Sequence, residues 1–422
     1  MNKRVGFESM AGIGGGVVSE ESRRQLEIAE DLCRKRRPVE ALPYLHRALD
    51  ADPYNLDAYI QLAFLAPNFE TSVEMLETAE SKGKTYACLF IDRVMRAMPD
   101  PLYRLKGREM LISEFGPRCF SDDGEQVGHF WGILETRPYM RVLQALVRFY
   151  VEKKDYPKAA HTVIEMLRLC PGDNLGQRDW LGSLLIMSKR MEDALYFSQV
   201  WMDPDCPDVI PRGGCNFKKP SAEPLSPALM KRLGEYNKAT LLYDAAYASF
   251  RIWGDCTLAK QYLQIAAKLN PIVLVKILSK ATRQESLSSA PRSLNSPEDA
   301  SDYLWLAQDL WLQPDAWNWV NSQEEVTRLL LKKCSRGGCS NTEKVPAEFK
   351  RCAGCHKVWY CGSDCQKTDW KSHKKPCKDE QRMKIMLKSI SQGRPLDTSK
   401  LPFAAATADF SSTGAATQFH GA

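Results

Sequence analysis

Nowhere in its 422 residues does the chain carry a run of eighteen apolar residues, so no membrane-spanning helix is expected. The opening stretch MNKRVGFESMAGIGGGVVSE has no apolar core of the kind that directs secretion, and residues 1–21 read as a disordered leader. Its Gly-Ile-Gly-Gly-Gly follows no predicted strand and lacks the full glycine fingerprint of a nucleotide loop. No nucleophile, base and orienting group stand together, which argues against an enzyme. A disulfide frame is also missing. Seven of the fourteen cysteines (Cys33, Cys88, Cys119, Cys170, Cys206, Cys215 and Cys256) are scattered through the chain, mostly in helical patterns. They read as free thiols of a reducing, intracellular compartment, cytoplasmic or nuclear.

The other seven lie between Cys334 and Cys377, together with His373. They arrive in pairs: Cys334 with Cys339, Cys352 with Cys355, Cys361 with Cys365, and His373 with Cys377. Eight such donors make two tetrahedral zinc sites, because Zn²⁺ is satisfied by four sulfur or nitrogen ligands at about 2.0 to 2.3 Å. A C-x2-C turn holds two sulfurs on one tetrahedral edge. Residues four apart on a helix share a face, so His373 and Cys377 can converge on a metal, as can Cys361 and Cys365 if the helix begins early enough. The segment's large apolar groups are Phe349, Val358, Trp359, Tyr360 and Trp370. They are too few for an independent core, so metal binding would supply most of its folding free energy.

From Lys350 onward the pattern K-R-C-x2-C-x4-Y-C-x3-C-Q-x2-D-W-x2-H-x3-C resembles the MYND zinc finger, over roughly a tenth of the chain. The first knuckle is C-x4-C, where C-x2-C is commoner in that family. The resemblance implies interleaved ligation, with Cys334, Cys339, Cys361 and Cys365 on one zinc and Cys352, Cys355, His373 and Cys377 on the other. It also implies docking of proline-rich peptides beside the helix, with Gln366 and Trp370 at the contacting positions. An indole offers a flat apolar surface to a polyproline helix, and a Gln amide can bond its exposed carbonyls. Ala353 stands where peptide-binding members often carry a small polar residue. His356 reads as a solvent-facing loop residue.

The formal net charge of +6 does not by itself point to nucleic acid. Between Cys334 and Cys377 nine Lys and Arg face four Asp and Glu. Seven thiolates and two divalent ions would take three charges from that surplus of five, leaving about +2. Much of the basic excess offsets the ligands, and nucleic acid is not an expected partner.

Upstream, helical periodicity begins near Ser22. ESRRQLEIAEDLCRKRRPVEALPYLHRALDADP resembles a tetratricopeptide repeat, with Ala29 on the first helix, Ala41 and Ala48 on the second, and Pro53 closing it. Ala259, Ala266 and Pro271 repeat the intervals of Ala41, Ala48 and Pro53, seven and then five residues. Ala159 and Pro171 fit the same frame, and Gly182 and Ala194 extend it. The expected fold is mainly α, an irregular array of helical hairpins over 22–275 with a small C-terminal two-zinc finger over 331–380. Such arrays stack because one hairpin cannot bury its own apolar face, and stacking leaves a surface for peptides or another protein.

A loop interrupts the array near 117–132. Arg137 and Arg141 lie near a helix start and suit a structural ion pair. Residues 202–227 form a proline-rich excursion in which Cys206 and Cys215 have no partner ligands. Residues 276–330 comprise a Ser-rich linker and a helical segment carrying Trp305, Trp311, Trp317 and Trp319, indoles that demand burial against the array or the finger. After Cys377 one more charged amphipathic helix is expected, then a low-complexity tail from about 392, with 381–422 taken together as short helix and disordered tail.

The reading is a non-enzymatic adaptor that docks proteins through the finger and the repeat surface. One alternative is a transcriptional co-regulator working by protein contacts. The other is a lysine methyltransferase of the kind that joins this finger to a SET domain, whose cofactor glycines, Asn-His pair and catalytic tyrosine segment are not found here.

Overall fold

The computed structural model describes residues 18–96, 120–122, 126–133, 136–203, 206, 212–287 and 293–391. Most of the expected leader, the tail from 392 and Cys119 lie outside these residues. Among the described residues there are sixteen helices and one two-stranded ribbon. None of these helices is long and apolar enough to cross a membrane. The chain divides into two compact units, Met1–Leu233 with Thr240–Tyr262, and Gly234–Ala239 with Leu263–Ala422.

The first unit is built from paired helices: α1 (Glu20–Arg34) on α2 (Pro38–Ala51), α3 (Leu56–Leu65) on α4 (Phe69–Arg96), α5 (Arg137–Glu152) on α6 (Tyr156–Leu169), and α7 (Arg178–Met187) on α8 (Met191–Met202). Successive pairs also touch, α2 with α3, α4 with α5 and α6 with α7. This is the stacking expected of a helical-repeat array. α9 (Pro227–Tyr236), α10 (Ala239–Trp253) and α11 (Thr257–Leu269) follow.

Three of the hairpins turn in the same way. Arg36, Lys154 and Lys189 each adopt a left-handed conformation, with φ of 61°, 62° and 62°. The next N–H then reaches back to the carbonyl five residues earlier, Arg37 to Leu32, Asp155 to Tyr150 and Arg190 to Leu185, at 2.8 to 2.9 Å. This closes off helix carbonyls that would otherwise be unpaired. The same turn thus ends the first helix of three of the hairpins.

The small residues lie where helices approach closely. Ala29, Ala41 and Ala48 are fully buried with Leu26, Leu45, Ala58 and Leu62 in one apolar cluster. Ala159, Ala194, Ala259 and Ala266 are likewise fully buried. At Gly182 an added Cβ would collide with the Asp244 carboxylate and stand 2.9 Å from its Cγ, so a larger residue there requires the Asp244 side chain or the helices to shift. Some polar groups inside the array pair with one another: Ser22 Oγ donates to the Ala48 carbonyl at 2.6 Å, and Asn55 Nδ2 donates to Ser22 Oγ at 2.9 Å. Arg141 forms a buried ion pair with Asp57. Arg137 donates to the Trp131 carbonyl at 2.8 Å and lies over its indole.

In the second unit α12 (Pro271–Leu278) packs against α13 (Pro297–Trp311), α14 (Pro314–Asn321) and α15 (Glu324–Leu330). The tryptophans furnish that packing. Trp311 and Trp319 are buried, while Trp305 and Trp317 are half-buried. Trp311 Nε1 donates to Tyr303 Oη at 2.9 Å and Trp317 Nε1 to the Ile277 carbonyl at 3.2 Å, which satisfies the one polar atom of each ring. β1 (Lys350–Arg351), β2 (Trp359–Tyr360) and the long α16 (Ser363–Ser391) complete the unit. The separate helix expected after Cys377 is instead continuous with α16, which runs through Pro376. Pro376 removes one i to i−4 bond, yet the helix runs through it without a break.

Candidate metal centre

β1 and β2 pair antiparallel, Lys350 opposite Tyr360 and Arg351 opposite Trp359. The tight turn between them carries Cys352 and Cys355. Cys352 N–H donates to the Val358 carbonyl at 2.9 Å, His356 N–H donates back to the Cys352 carbonyl at 3.0 Å, and Lys357 N–H points at Cys355 Sγ at 3.4 Å. An isolated bridge between Lys333 and Thr342 frames the first knuckle. There Gly338 turns at φ 77° and Cys334 N–H donates to the Asn341 carbonyl at 2.8 Å. Ser335 ties this knuckle to the ribbon, its N–H donating to the Trp359 carbonyl at 2.8 Å and its hydroxyl accepting from Trp359 N–H at 3.0 Å. Buried Glu343 fastens the base, accepting from the backbone N–H groups of Lys332 and Phe349, each at 2.8 Å.

These local structures bring the eight predicted residues into two groups. Cys334, Cys339, Cys361 and Cys365 form one; Cys352, Cys355, His373 and Cys377 form the other, with the donor atoms of each group within 4.8 Å of one another. No further cluster of this kind occurs among the described residues. α16 begins at Ser363, so it presents Cys365, His373 and Cys377, while Cys361 is held just before it, at the end of the ribbon. The two groups are interleaved along the chain, and α16 contributes residues to both.

The spacing fits zinc. Ligands at about 2.3 Å in a tetrahedron place neighbouring sulfurs about 3.8 Å apart. Cys339 and Cys361 are 3.8 Å apart, Cys365 and Cys339 3.9 Å, Cys352 and Cys377 3.8 Å, and Cys361 and Cys365 3.4 Å. His373 Nε2 lies 3.4 Å from Cys355 Sγ. None of these cysteines is in a disulfide. Each group can hold one zinc ion, giving two per chain.

The thiols within each group differ in how readily they ionise. Burial opposes ionisation of Cys352 and Cys334, yet donated backbone N–H groups bring the first down to about 6 and the second to about 7. Cys355 is pushed upward by burial and by its thiol neighbours, and Cys365 rises to about 12, chiefly through its contact with Cys361. One thiol in each group ionises readily and the next is held back. A bound divalent ion lets all of them become thiolates.

A small core supports the ligands, with Phe349 and Tyr360 buried among the cysteines and Val358 and Trp359 packed on them. Tyr360 Oη donates to Asp369 on α16 at 2.7 Å. Several supporting residues escaped the sequence reading. Gln381 Nε2 donates to Cys377 Sγ at 3.3 Å, Asn341 Nδ2 donates to Cys361 Sγ at 3.3 Å, and Lys384 Nζ donates to the Cys355 carbonyl at 2.7 Å. A Cβ on Gly354 would collide with the Gln381 amide and lie 3.0 Å from Cys377 Sγ. The available signal for Gln381 was its position one helical turn after Cys377.

Gln366 and Trp370 share a face of α16. Gln366 is half-buried, whereas Trp370 is 40% exposed and meets the His373 ring edge-on at 6.0 Å between centroids. Ala353 and His356 are exposed, and His356 Nε2 is hydrogen-bonded to the Ala353 carbonyl at 2.7 Å. Cys206 and Cys215 take no part in the clusters.

Residues 330–377 match the family described as MYND finger, a class of zinc-binding protein-interaction module. An F-box protein of Arabidopsis thaliana is 48% identical across 48 residues, 11% of this chain and 14% of that protein. A histone-lysine N-methyltransferase of Arabidopsis thaliana is 49% identical across 41 residues, 10% of this chain and 8% of its own length. SET domain-containing protein 14 of Caenorhabditis elegans is 42% identical across 40 residues, 10% and 9% respectively. The chain therefore spans only a small fraction of the curated relatives it matches. No solved structure gives a significant match.

Proposed function

We propose that this protein is a non-enzymatic intracellular adaptor, in which Cys334, Cys339, Cys361 and Cys365 bind one zinc, Cys352, Cys355, His373 and Cys377 bind the other, and the finger so formed docks proline-rich segments of protein partners. The repeat region, 22–275, supplies a second docking surface, and the helices of 276–330 lead from it to the finger at 331–380. The observation that carries the reading is Trp370. A free-standing indole, 40% exposed, is held against a zinc-ligand ring on a helix whose ligands keep it rigid. Pre-organisation of this kind favours binding of a stiff polyproline helix, since neither partner loses much freedom. Gln366, on the same face, is placed to bond the peptide's carbonyls. The catalytic and F-box names among the relatives belong to chains matched here over only 10–11% of this chain, so their activities do not transfer.

The test is a titration of the full-length, zinc-loaded chain with a proline-rich peptide library, repeated with Trp370→Ala. Binding that disappears with the indole supports the docking role. A zinc-replete finger that binds no peptide assigns Trp370 to a structural cap.

A further inference from the structure

The last part of the proline-rich segment, residues 220–227, lies on the first unit as a strap with an unusual mode of attachment. Ser221 N–H donates to Gln199 Oε1 at 2.9 Å, and Gln199 Nε2 donates to the Ser221 carbonyl at 2.9 Å. Four residues on, Leu225 N–H donates to Gln261 Oε1 at 2.7 Å, and Gln261 Nε2 donates to the Leu225 carbonyl at 2.9 Å. Gln199 lies on α8 and Gln261 on α11. Each amide thus does what a neighbouring β-strand does, pairing the donor and the acceptor of one residue. The segment between is non-helical, with a bend at Glu223, whose N–H is satisfied locally by Ser221 Oγ at 3.2 Å.

The strap is held by its backbone. The side chains of Ser221, Ala222, Glu223 and Pro224 are exposed, whereas Pro220 is buried and Leu225 half-buried. Pro220, Pro224 and Pro227 remove N–H donors that have no amide opposite them, and each pushes the preceding residue toward an extended conformation. A groove that reads main chain at two positions, and side chains only at its ends, accepts other sequences of the same form.

We propose that Gln199 and Gln261 form an extended-peptide groove on the helical array, that Ser221–Leu225 is its resident ligand, and that a partner's segment with a proline followed five residues later by a leucine binds there by displacing it. This deepens the repeat-surface half of the adaptor reading and rests on that half. The finger is left intact in the experiment below, so failure here and failure of the Trp370 titration remain distinguishable.

The probe is a labelled synthetic peptide with the sequence of residues 217–227, titrated into the full chain and into a strap variant, Ser221→Pro with Leu225→Pro, that lacks the two N–H groups donated to Gln199 and Gln261. The tethered segment competes at an effective concentration on the order of millimolar. The strap variant should therefore bind the peptide at least about tenfold more tightly than the natural chain, and adding Gln199→Ala and Gln261→Ala should abolish that binding. A strap variant with intact helicity that binds no peptide, or whose binding ignores the two glutamines, overturns the proposal. Limited proteolysis supplies an independent reading that needs no strap variant. Gln199→Ala with Gln261→Ala in the otherwise natural chain should speed tryptic cleavage after exposed Lys218 about tenfold, by releasing the strap. Unchanged cleavage there contradicts the assignment of the amides.

Discussion

Arg141 and Asp57, 84 residues apart in the chain, meet inside the first unit through two parallel hydrogen bonds of 2.8 and 2.7 Å. Their side chains are only 2% and 7% exposed. The pair joins α5 to α3 across two hairpins. Removing one partner leaves a buried charge without its counter-charge, so Arg141→Ala should destabilise the array by about 3–5 kcal/mol. Replacing both, Asp57→Leu with Arg141→Met, should recover most of that loss. Urea unfolding of the full chain followed by far-UV circular dichroism measures both.

Gly182 tests the close approach of α7 to α10. A methyl group there meets the Asp244 carboxylate, whose other oxygen accepts from Ser183 Oγ at 2.8 Å. Gly182→Ala should cost about 1–3 kcal/mol through overpacking, against a helix-propensity gain of roughly 1 kcal/mol at an unobstructed site. A raised melting temperature would show that the helices have room to separate.

These two sites mark what the sequence could and could not disclose. The small-residue frame of Ala29, Ala41, Ala48, Ala159, Ala194, Ala259 and Ala266 was legible because close helix packing tolerates little else, and its spacing persists where the rest of the repeat has drifted. That Arg141 suits an ion pair was legible from residue type and position. Its partner was not, because nothing local links residues 57 and 141. The zinc donors were legible for the opposite reason, since their chemistry is rare and their spacing short. The continuity of α16 was hidden by Pro376, which reads as a stop because it removes a helix hydrogen bond. Gln381 was hidden because a glutamine on a helix has no chemical signature until the sulfur it faces is known.

Chelation should separate the stability of the finger from that of the helical array. The finger's few apolar groups cannot replace the metal, so removing zinc should unfold it while the array keeps its helical signal. Cys355→Ser should do the same with zinc present. Near-UV and far-UV circular dichroism, read together with zinc content, check this; a cooperative loss of all helical signal on chelation would contradict it.

Gln381 hydrogen-bonds a ligand sulfur, and supporting contacts of this type typically tune metal affinity by 10–100-fold. Gln381→Ala should weaken the site of Cys352, Cys355, His373 and Cys377 by about that factor and leave the other unchanged. Competition with a chromophoric chelator, which resolves one weakened ion from one unaltered, measures the effect. Gly354→Ala, which crowds the same sulfur, should move affinity in the same direction.

The most direct test of the finger's architecture counts metal by native mass spectrometry in paired ligand variants. The intact chain should carry two zinc ions. If the sites interleave as the sulfur distances require, Cys334→Ser with Cys361→Ser disables a single site and leaves one ion, while Cys334→Ser with Cys352→Ser removes both. One ion in the intact chain would contradict the account. So would the reverse pattern, with none left in the first pair and one left in the second, which belongs to two sites arranged one after the other along the chain.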